Sequence, residues 1–333
     1  MTSTQPWEAA VAVVQGAQVA VVVGHINPDA DALGSALGLA AALRSAGVQA
    51  CATFDAEPFA VPQSLRWLPH QELLRAPADC PQQPDTVIAV DCAAADRLGR
   101  LLALAQAARA FLVIDHHRSN PGFGDVQLID PTVPAAGVLV AQLLERADLP
   151  SSPAIATDLY AAIASDTGGF RFAGTSSDTH RLVAGLLDQG VDPEYVGRQL
   201  FAARSLSVAR LAARTLGAAT VVPEAAGGQG ALLGVISQAD RAEFGVHYDD
   251  VESIITDFAA ITATDVAVIA KQDDRGVWRV SMRSRGGTDV GNLCSARGGG
   301  GHRQAAGFTA QATTAKAAVT EILDLLTAAP IAP

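Results

Sequence analysis

AFLVIDHHRSN, residues 110 to 120, runs from an unbroken apolar segment into an aspartate and two adjacent histidines. A segment that is apolar at every position, rather than at alternate ones, is what a strand needs when helices cover both faces of its sheet. Two more such runs lie upstream, VAVVVGH (19–25) and TVIAVD (86–91), and each also ends on a histidine or an acid. Segments rich in Ala and Leu at 32–45, 100–110, 136–146 and 154–165 read as helices between and after them. Alternating strands and helices predict an α/β fold with a doubly wound, mostly parallel sheet. In such sheets ligands gather beyond the carboxyl ends of the strands.

At 333 residues the chain exceeds the usual size of one core, and two domains are expected. Residues 1–190 are read as the first, the α/β domain. Residues 191–213 are helical and amphipathic with no strand nearby, and read as a connector. Residues 214–330 mix hairpin-like runs (ATVVPE, ALLGVIS, DVAVIAK, VWRVSMRS) with helical segments near 251–260 and 314–327, predicting a smaller α+β domain with an antiparallel or mixed sheet. The active site is expected in the cleft between the two domains.

Composition narrows the function. Hydrophobic residues make up 49% and charged ones 17%, which leaves little room for disorder. The apolar stretch from Val11 to Gly24 is broken by Gln15 and Gln18 and is too short for a bilayer, and Glu8 ahead of it is unlike a signal peptide; no membrane partner is expected. Four scattered cysteines without Cys-x-x-Cys spacing argue against a disulfide framework or structural zinc and fit a reducing cytoplasm. A net charge of −11 argues against duplex DNA, whose binding needs many phosphate-neutralising cations.

The chemistry is concentrated after the apolar runs. His25, Asp29 and Asp31 follow the first, Asp91 the second, and Asp115, His116 and His117 the third, while Asp166 ends a helical run. Each has a plain structural explanation: Asp31 as a helix cap, Asp91 as a turn former, His25 as a core imidazole. Together they do not, because clustered carboxylates repel and burying unpaired charge costs several kcal/mol. If the strands are parallel, these side chains share one sheet edge and require cations. Carboxylate and imidazole without thiolate suit Mn²⁺ first, with Mg²⁺, Co²⁺ or Fe²⁺ also acceptable. Asp29 and Asp31, two apart after Pro28, can face different ions with Asp91 between them. A pair about 3.5–4 Å apart would clamp a phosphoryl group for in-line attack.

His25-x-x-Pro28-Asp29-x-Asp31 with Gly34-Ser35, the lone Asp91, Asp115-His116-His117 and Ser165-Asp166-Thr167-Gly168 resemble, in order, the four motifs of the DHH phosphoesterase superfamily. GGGGHRQAAGF (298–308) resembles the glycine-rich His motif of the DHHA1 domain, and the combination is similar to the short bacterial nanoRNase type with one domain of each kind. Ala30 stands where a glycine is common. The resemblance implies a first ion held by His25, Asp29 and Asp91, and a second by Asp31, Asp91, His116 and Asp166. It leaves His117 to meet the substrate phosphate and Asp115 to orient its neighbours, and it implies a homodimer through the N-terminal domain.

Between Arg275 and Arg303 six arginines stand against one acid, Asp289, a local charge of +5 in an acidic chain. That is a local anion site. Arg283 and Arg285, two apart on a strand, would share a face and fork a phosphate. Arg297 belongs to the same basic stretch. Gly299, Gly300 and Gly301 allow close backbone approach to a phosphate, and His302 can stack on or bond to a nucleotide. Residues 298–301 are not a P-loop, since no Lys-Ser or Lys-Thr follows.

A small basic hand facing a dimetal centre admits a few nucleotides. The expected activity is Mn²⁺-dependent hydrolysis of short single-stranded oligoribonucleotides to nucleoside 5′-monophosphates, and dephosphorylation of 3′-phosphoadenosine 5′-phosphate. One alternative is a phosphodiesterase of cyclic di-AMP or pApA with the same centre, and a weaker one an inorganic pyrophosphatase. A third, of another class, is a nucleotide-binding sensor with a structural metal site.

Overall fold

The computed structural model describes residues 4–172 and 174–327; the outermost positions of the expected domain ranges, 1–3 and 328–330, lie outside them. Chain contacts divide it into two compact units that meet at Ala203 and Arg204. The expected connector is two separate helical pieces. Ser205 breaks the helix there, accepting the Val208 N–H as the cap of the next helix.

The first unit contains, in order, α1 (Thr4–Gly16), β1 (Val19–Val23), α2 (Ala30–Ser45), β2 (Gln49–Thr53), β3 (Thr86–Val90), α3 (Leu101–Ala107), β4 (Ala110–Asp115), β5 (Val126–Ile129), α4 (Ala136–Arg146), α5 (Pro153–Asp166), α6 (Ser177–Asp188) and α7 (Pro193–Gly197). Its five strands are all parallel, in the order β2-β1-β3-β4-β5. The unbroken apolar runs are explained by the two cores that the sheet separates. Ala20, Val22, Ile88, Val90, Leu112 and Ile114 enter one core, while Val21, Val23, Val87, Ala89, Phe111 and Val113 enter the other.

The chain moves outward from β1 to β2 and then returns to β3 on the other side of β1. Strand order therefore reverses between β1 and β3, the place where open α/β sheets bind ligands. Two helices carrying site residues, α2 and α5, cross at glycines. A Cβ on Gly34 would lie 2.5 Å from the Asp158 carbonyl oxygen, and one on Gly38 would lie 3.1 Å from Leu159.

The second unit contains α8 (Leu206–Gly217), β6 (Thr220–Val222), α9 (Ala225–Gly228), β7 (Ala231–Ile236), α10 (Gln238–Phe244), α11 (Ile254–Ala259), β8 (Val266–Gln272), β9 (Trp278–Ser284), α12 (Val290–Ser295), β10 (Gly300–His302), β11 (Ala305–Thr309) and α13 (Ala315–Thr327). Its mixed sheet has the order β10-β11-β9-β8-β7-β6, with β7 and β8 parallel and the other pairs antiparallel. On β9, Trp278, Val280 and Met282 face the main core of the unit, which places Arg279, Ser281 and Arg283 on the opposite face.

One expectation is corrected here. β9 ends at Ser284, so Arg285 stands one residue past the strand, although its N–H still donates to the Asp265 carbonyl and continues the β8–β9 register. The glycine tract is in part a strand, β10 on β11. A Cβ at Gly299, just before β10, would meet the Gly307 oxygen at 2.1 Å, and one at Gly301 within it would meet the Ala305 oxygen at 2.5 Å, so both are required by the close approach of β11; Gly300 has open space. Among the described residues no helix is long and apolar enough to cross a membrane.

The close contact at Gly34 sets a stability test. Gly34→Ala forces a Cβ against backbone and is expected to destabilise by about 1–3 kcal/mol. Gly185→Ala, in α6 where nothing lies within 4 Å, is expected to stabilise by roughly 0.5–1 kcal/mol. Urea unfolding of both variants checks the pair, and equal effects would refute the packing account.

Candidate metal centre

Because the strands are parallel, β1, β3 and β4 end at one edge of the sheet, and His25, Asp91 and Asp115-His116-His117 follow those ends. Asp29 and Asp31 arrive on the start of α2, and Asp166 on the last residue of α5.

Asp29, not Asp31, closes the N-terminus of α2, so the plain reading of Asp31 as a helix cap is set aside. Oδ1 of Asp29 accepts the N–H groups of Asp31 and Ala32, both at 3.0 Å. Its other oxygen faces His25 Nε2 at 3.8 Å. The Nδ1 of His25 is 2.8 Å from the Ile26 carbonyl, which leaves Nε2 as the ring atom directed at the carboxylates of Asp29 and Asp91. Arg97, absent from the sequence candidates, lies 3.1 Å from the same Nδ1 and 3.3 Å from the same carbonyl.

Asp31 is fully buried against the N-terminus of α4. It accepts the Ala136 N–H at 2.7 Å, the Gly137 N–H at 2.9 Å and the Ser35 hydroxyl at 3.1 Å, a helix-end cradle suited to an anion. Gly137 is required there, since a Cβ would lie 2.8 Å from Ala162 Cβ and 3.3 Å from the Asp31 carboxylate.

Asp91 occupies the left-handed region at φ 56°, unusual for a residue with a side chain, held by its N–H to the Ile114 carbonyl. Its carboxylate faces two sets of groups. Oδ2 is 3.5 Å from His25 Nε2, while Oδ1 is 3.4 Å from His116 Nε2 and 3.6 Å from His117 Nδ1. Oδ1 is buried without a hydrogen bond. His116 Nε2 also lies 3.3 Å from Asp166 and 3.7 Å from Asp31.

Asp115 has a different task. One oxygen takes His117 Nδ1 at 2.8 Å and the other the Asn120 amide at 2.6 Å, while Asn120 also donates to the Cys92 carbonyl. It therefore orients His117 with Nδ1 protonated. Asn120 was missed by sequence reasoning; its position at the end of the HHRSN stretch, where a turn must close, was the available signal.

The donor set fits divalent ions. Ligand atoms of His25, Asp29 and Asp91 lie within 4.8 Å of one another, as do those of Asp31, Asp91 and His116. Separations of 3.3–3.8 Å are long for hydrogen bonds. Two donors about 2.1 Å from a shared ion stand roughly 3.0–3.4 Å apart, close to the observed spacing. Electrostatics agree. Burial opposes charge on His25 and His116, yet Asp29 and Asp91 lift the first to about 10, and Asp166, Asp91 and Asp31 lift the second to about 12. Without metal ions, protons supply the positive charge that the acids require. Cys92 is no competitor as a ligand: burial pushes its thiol well up, and it donates to the Val90 carbonyl.

In the second unit, Arg283 donates to the Met282 carbonyl and Arg285 lies 3.5 Å from the Ala259 carbonyl. Arg297 pairs with Glu321 at 3.3 Å, so it has a structural partner on α13. His302 is exposed on β10.

Titration calorimetry with Mn²⁺ is expected to show two equivalents bound. Asp91→Asn, at the carboxylate facing both histidine sets, should weaken both, whereas Arg285→Ala should weaken neither. Ions at 100 times their dissociation constant should stabilise the unit by about 2.7 kcal/mol per site, read as a thermal shift. An unchanged Asp91→Asn isotherm would refute the shared carboxylate.

A model of the DHH family, N-terminal domain, matches residues 19–163, and one of the DHHA1 domain matches residues 223–329. The chain is 32% identical over 305 residues to the bifunctional oligoribonuclease and PAP phosphatase NrnA of Thermus thermophilus, covering 91% of this chain and 87% of that one. An exopolyphosphatase-related protein of Bacteroides fragilis has the same fold, with a TM-score of 0.86 at 23% identity over 97% of this chain and 96% of its own. The exonuclease RecJ bound to manganese is a more distant structural neighbour, with a TM-score of 0.54 at 16% identity over 98% and 95% of the two chains. With both halves matched in order and such a relative along nearly its whole length, the chain belongs to the DHH family of phosphoesterases, in the form that joins a DHH domain to a DHHA1 domain.

Proposed function

We propose that this enzyme is a Mn²⁺-dependent phosphodiesterase that hydrolyses short single-stranded oligoribonucleotides to nucleoside 5′-monophosphates and removes the 3′-phosphate of 3′-phosphoadenosine 5′-phosphate. The observation that carries the reading is the Asp91 carboxylate, whose two oxygens face His25 on one side and His116 on the other. NrnA of Thermus thermophilus, similar along nearly the whole chain, is named for these two activities.

His25, Asp29 and Asp91 would hold one ion, and Asp31, Asp91, His116 and Asp166 the second. Two such ions, when bound, polarise the phosphoryl group and promote in-line attack by water. The remaining work belongs to the chain. Burial opposes charge on His117, but its hydrogen bond to Asp115 and the charge of Asp91 raise its pKa, so the imidazole favours the protonated form. With Nδ1 committed to Asp115, its Nε2–H is the atom to donate to a phosphoryl oxygen or to the departing ester oxygen. Arg283, Arg285 and Arg297, with the backbone of Gly299, Gly300 and Gly301, would bind terminal phosphate, and His302 the nucleotide base.

The net charge of −11 supports short substrates over duplex DNA. Four unbridged cysteines support a cytoplasmic location. The homodimer rests on the family alone.

Turnover of pApA, 3′-phosphoadenosine 5′-phosphate and cyclic di-AMP by one Mn²⁺-loaded preparation tests the reading, with the first two expected as the better substrates. His116→Ala should abolish hydrolysis. Asn120→Ala, which spares every proposed ligand, should lower it by about 10–100-fold. Hydrolysis that survives both EDTA and His116→Ala would refute the assignment, and a clear preference for cyclic di-AMP would replace the substrate.

A further inference from the structure

Phe172 and Phe201 are the two phenylalanines that the described residues leave half exposed, at 49% and 50%, and both meet the same turn. That turn, Gly168-Gly169, begins two residues after Asp166. A Cβ on Gly168 would lie 2.5 Å from Phe172 Cζ, and one on Gly169 would lie 3.4 Å from the Phe201 ring. A ring therefore rests on each of two consecutive glycines beside the metal centre.

The local backbone is arranged to hold them there. Gly168, Gly169 and Phe170 are all left-handed, with φ of 58°, 70° and 66°. For Phe170 that conformation is strained. The strain turns Phe170 inward onto Tyr160 and His180, with ring centroids 5.7 and 5.6 Å away, and leaves Phe172 outside. Thr167 anchors the turn: its hydroxyl accepts the Phe170 N–H, and its carbonyl accepts the N–H groups of Arg171 and Phe172. Phe201 sits in a π-helical turn, residues 198–202, a distortion frequent at functional sites.

Leaving two large rings in water is unfavourable unless something covers them. What covers them follows from where they are. Their turn is continuous with the residue cluster assigned to phosphate chemistry, and a phosphate substrate with a flat apolar face attached is a nucleotide. We propose that Phe172 and Phe201 form a stacking platform for a base of the oligonucleotide substrate, an inference that rests on the function proposed above. Every base has a π-face, so the platform favours substrates that carry a base at this position without selecting its identity. The glycines acquire a reason as well: any side chain at Gly168 would displace Phe172.

The test is kcat/KM for pApA and for the same dinucleotide with each base removed in turn, using wild type, Phe172→Ala, Phe201→Ala and Phe172→Trp. Each alanine variant is expected to lose roughly tenfold on pApA, mainly in KM, and to lose nothing on one of the two abasic analogues. Phe172→Trp should restore pApA turnover, and the Mn²⁺-induced thermal shift should be the same in all four proteins. Equal losses on all three substrates, or unchanged pApA turnover, would overturn the platform and leave the phosphodiesterase standing. So would sedimentation showing that the alanine variants dissociate a dimer, because a second copy would then be the occupant. A wild type that fails to hydrolyse pApA would overturn the underlying reading and the platform together.

Discussion

Five carboxylates, three of them (Asp31, Asp91 and Asp115) buried, cannot crowd the edge of one sheet unless positive charge crowds with them. Most of the first unit's local structure can be understood as the answer to that constraint. Asp29 commits one oxygen to the start of α2, Asp31 is cradled by the first amides of α4, and Asp115 is occupied by His117 and Asn120. Asp91 alone turns both oxygens toward imidazoles. The protonation pattern follows: His25 and His117 each have Nδ1 directed to an acceptor, which leaves Nε2 as the working atom.

The frame delivering these groups is rigid where it must be. The reversal of strand order between β1 and β3 separates the helices that follow those strands and leaves room at their carboxyl ends. Glycine contacts between α2 and α5, and at the start of α4, bring Asp31 and Asp166 to His116 with backbone-to-backbone closeness that no larger residue would permit.

Much of this was legible beforehand. The strands carrying site residues are continuous apolar runs ending on an acid or histidine, because the sheet is buried on both faces and its edge is where polarity must begin. β2 (QACAT) and β5 (VQLI) escaped notice because they are short and diluted with polar or small residues. The strand β10 could not be read from GGGGH, since glycine signals freedom and the pairing that consumes it comes from β11. Which of Asp29 and Asp31 caps α2 was likewise invisible, because both stand at the right spacing and the choice depends on α4, more than a hundred residues away. Arg285 falls one residue past the end of β9, a boundary that the residue pattern alone does not fix.

The distance in sequence between Asp31 and its cradle has a consequence for biogenesis. The Ala136 amide that holds Asp31 lies 105 positions downstream, and Asp166 emerges from the ribosome later still. No N-terminal fragment shorter than the end of α5 contains the complete constellation. A growing polypeptide therefore keeps its acids apart until Asp166 has been made, and the costly convergence of charge is deferred until the last helix of the set is available.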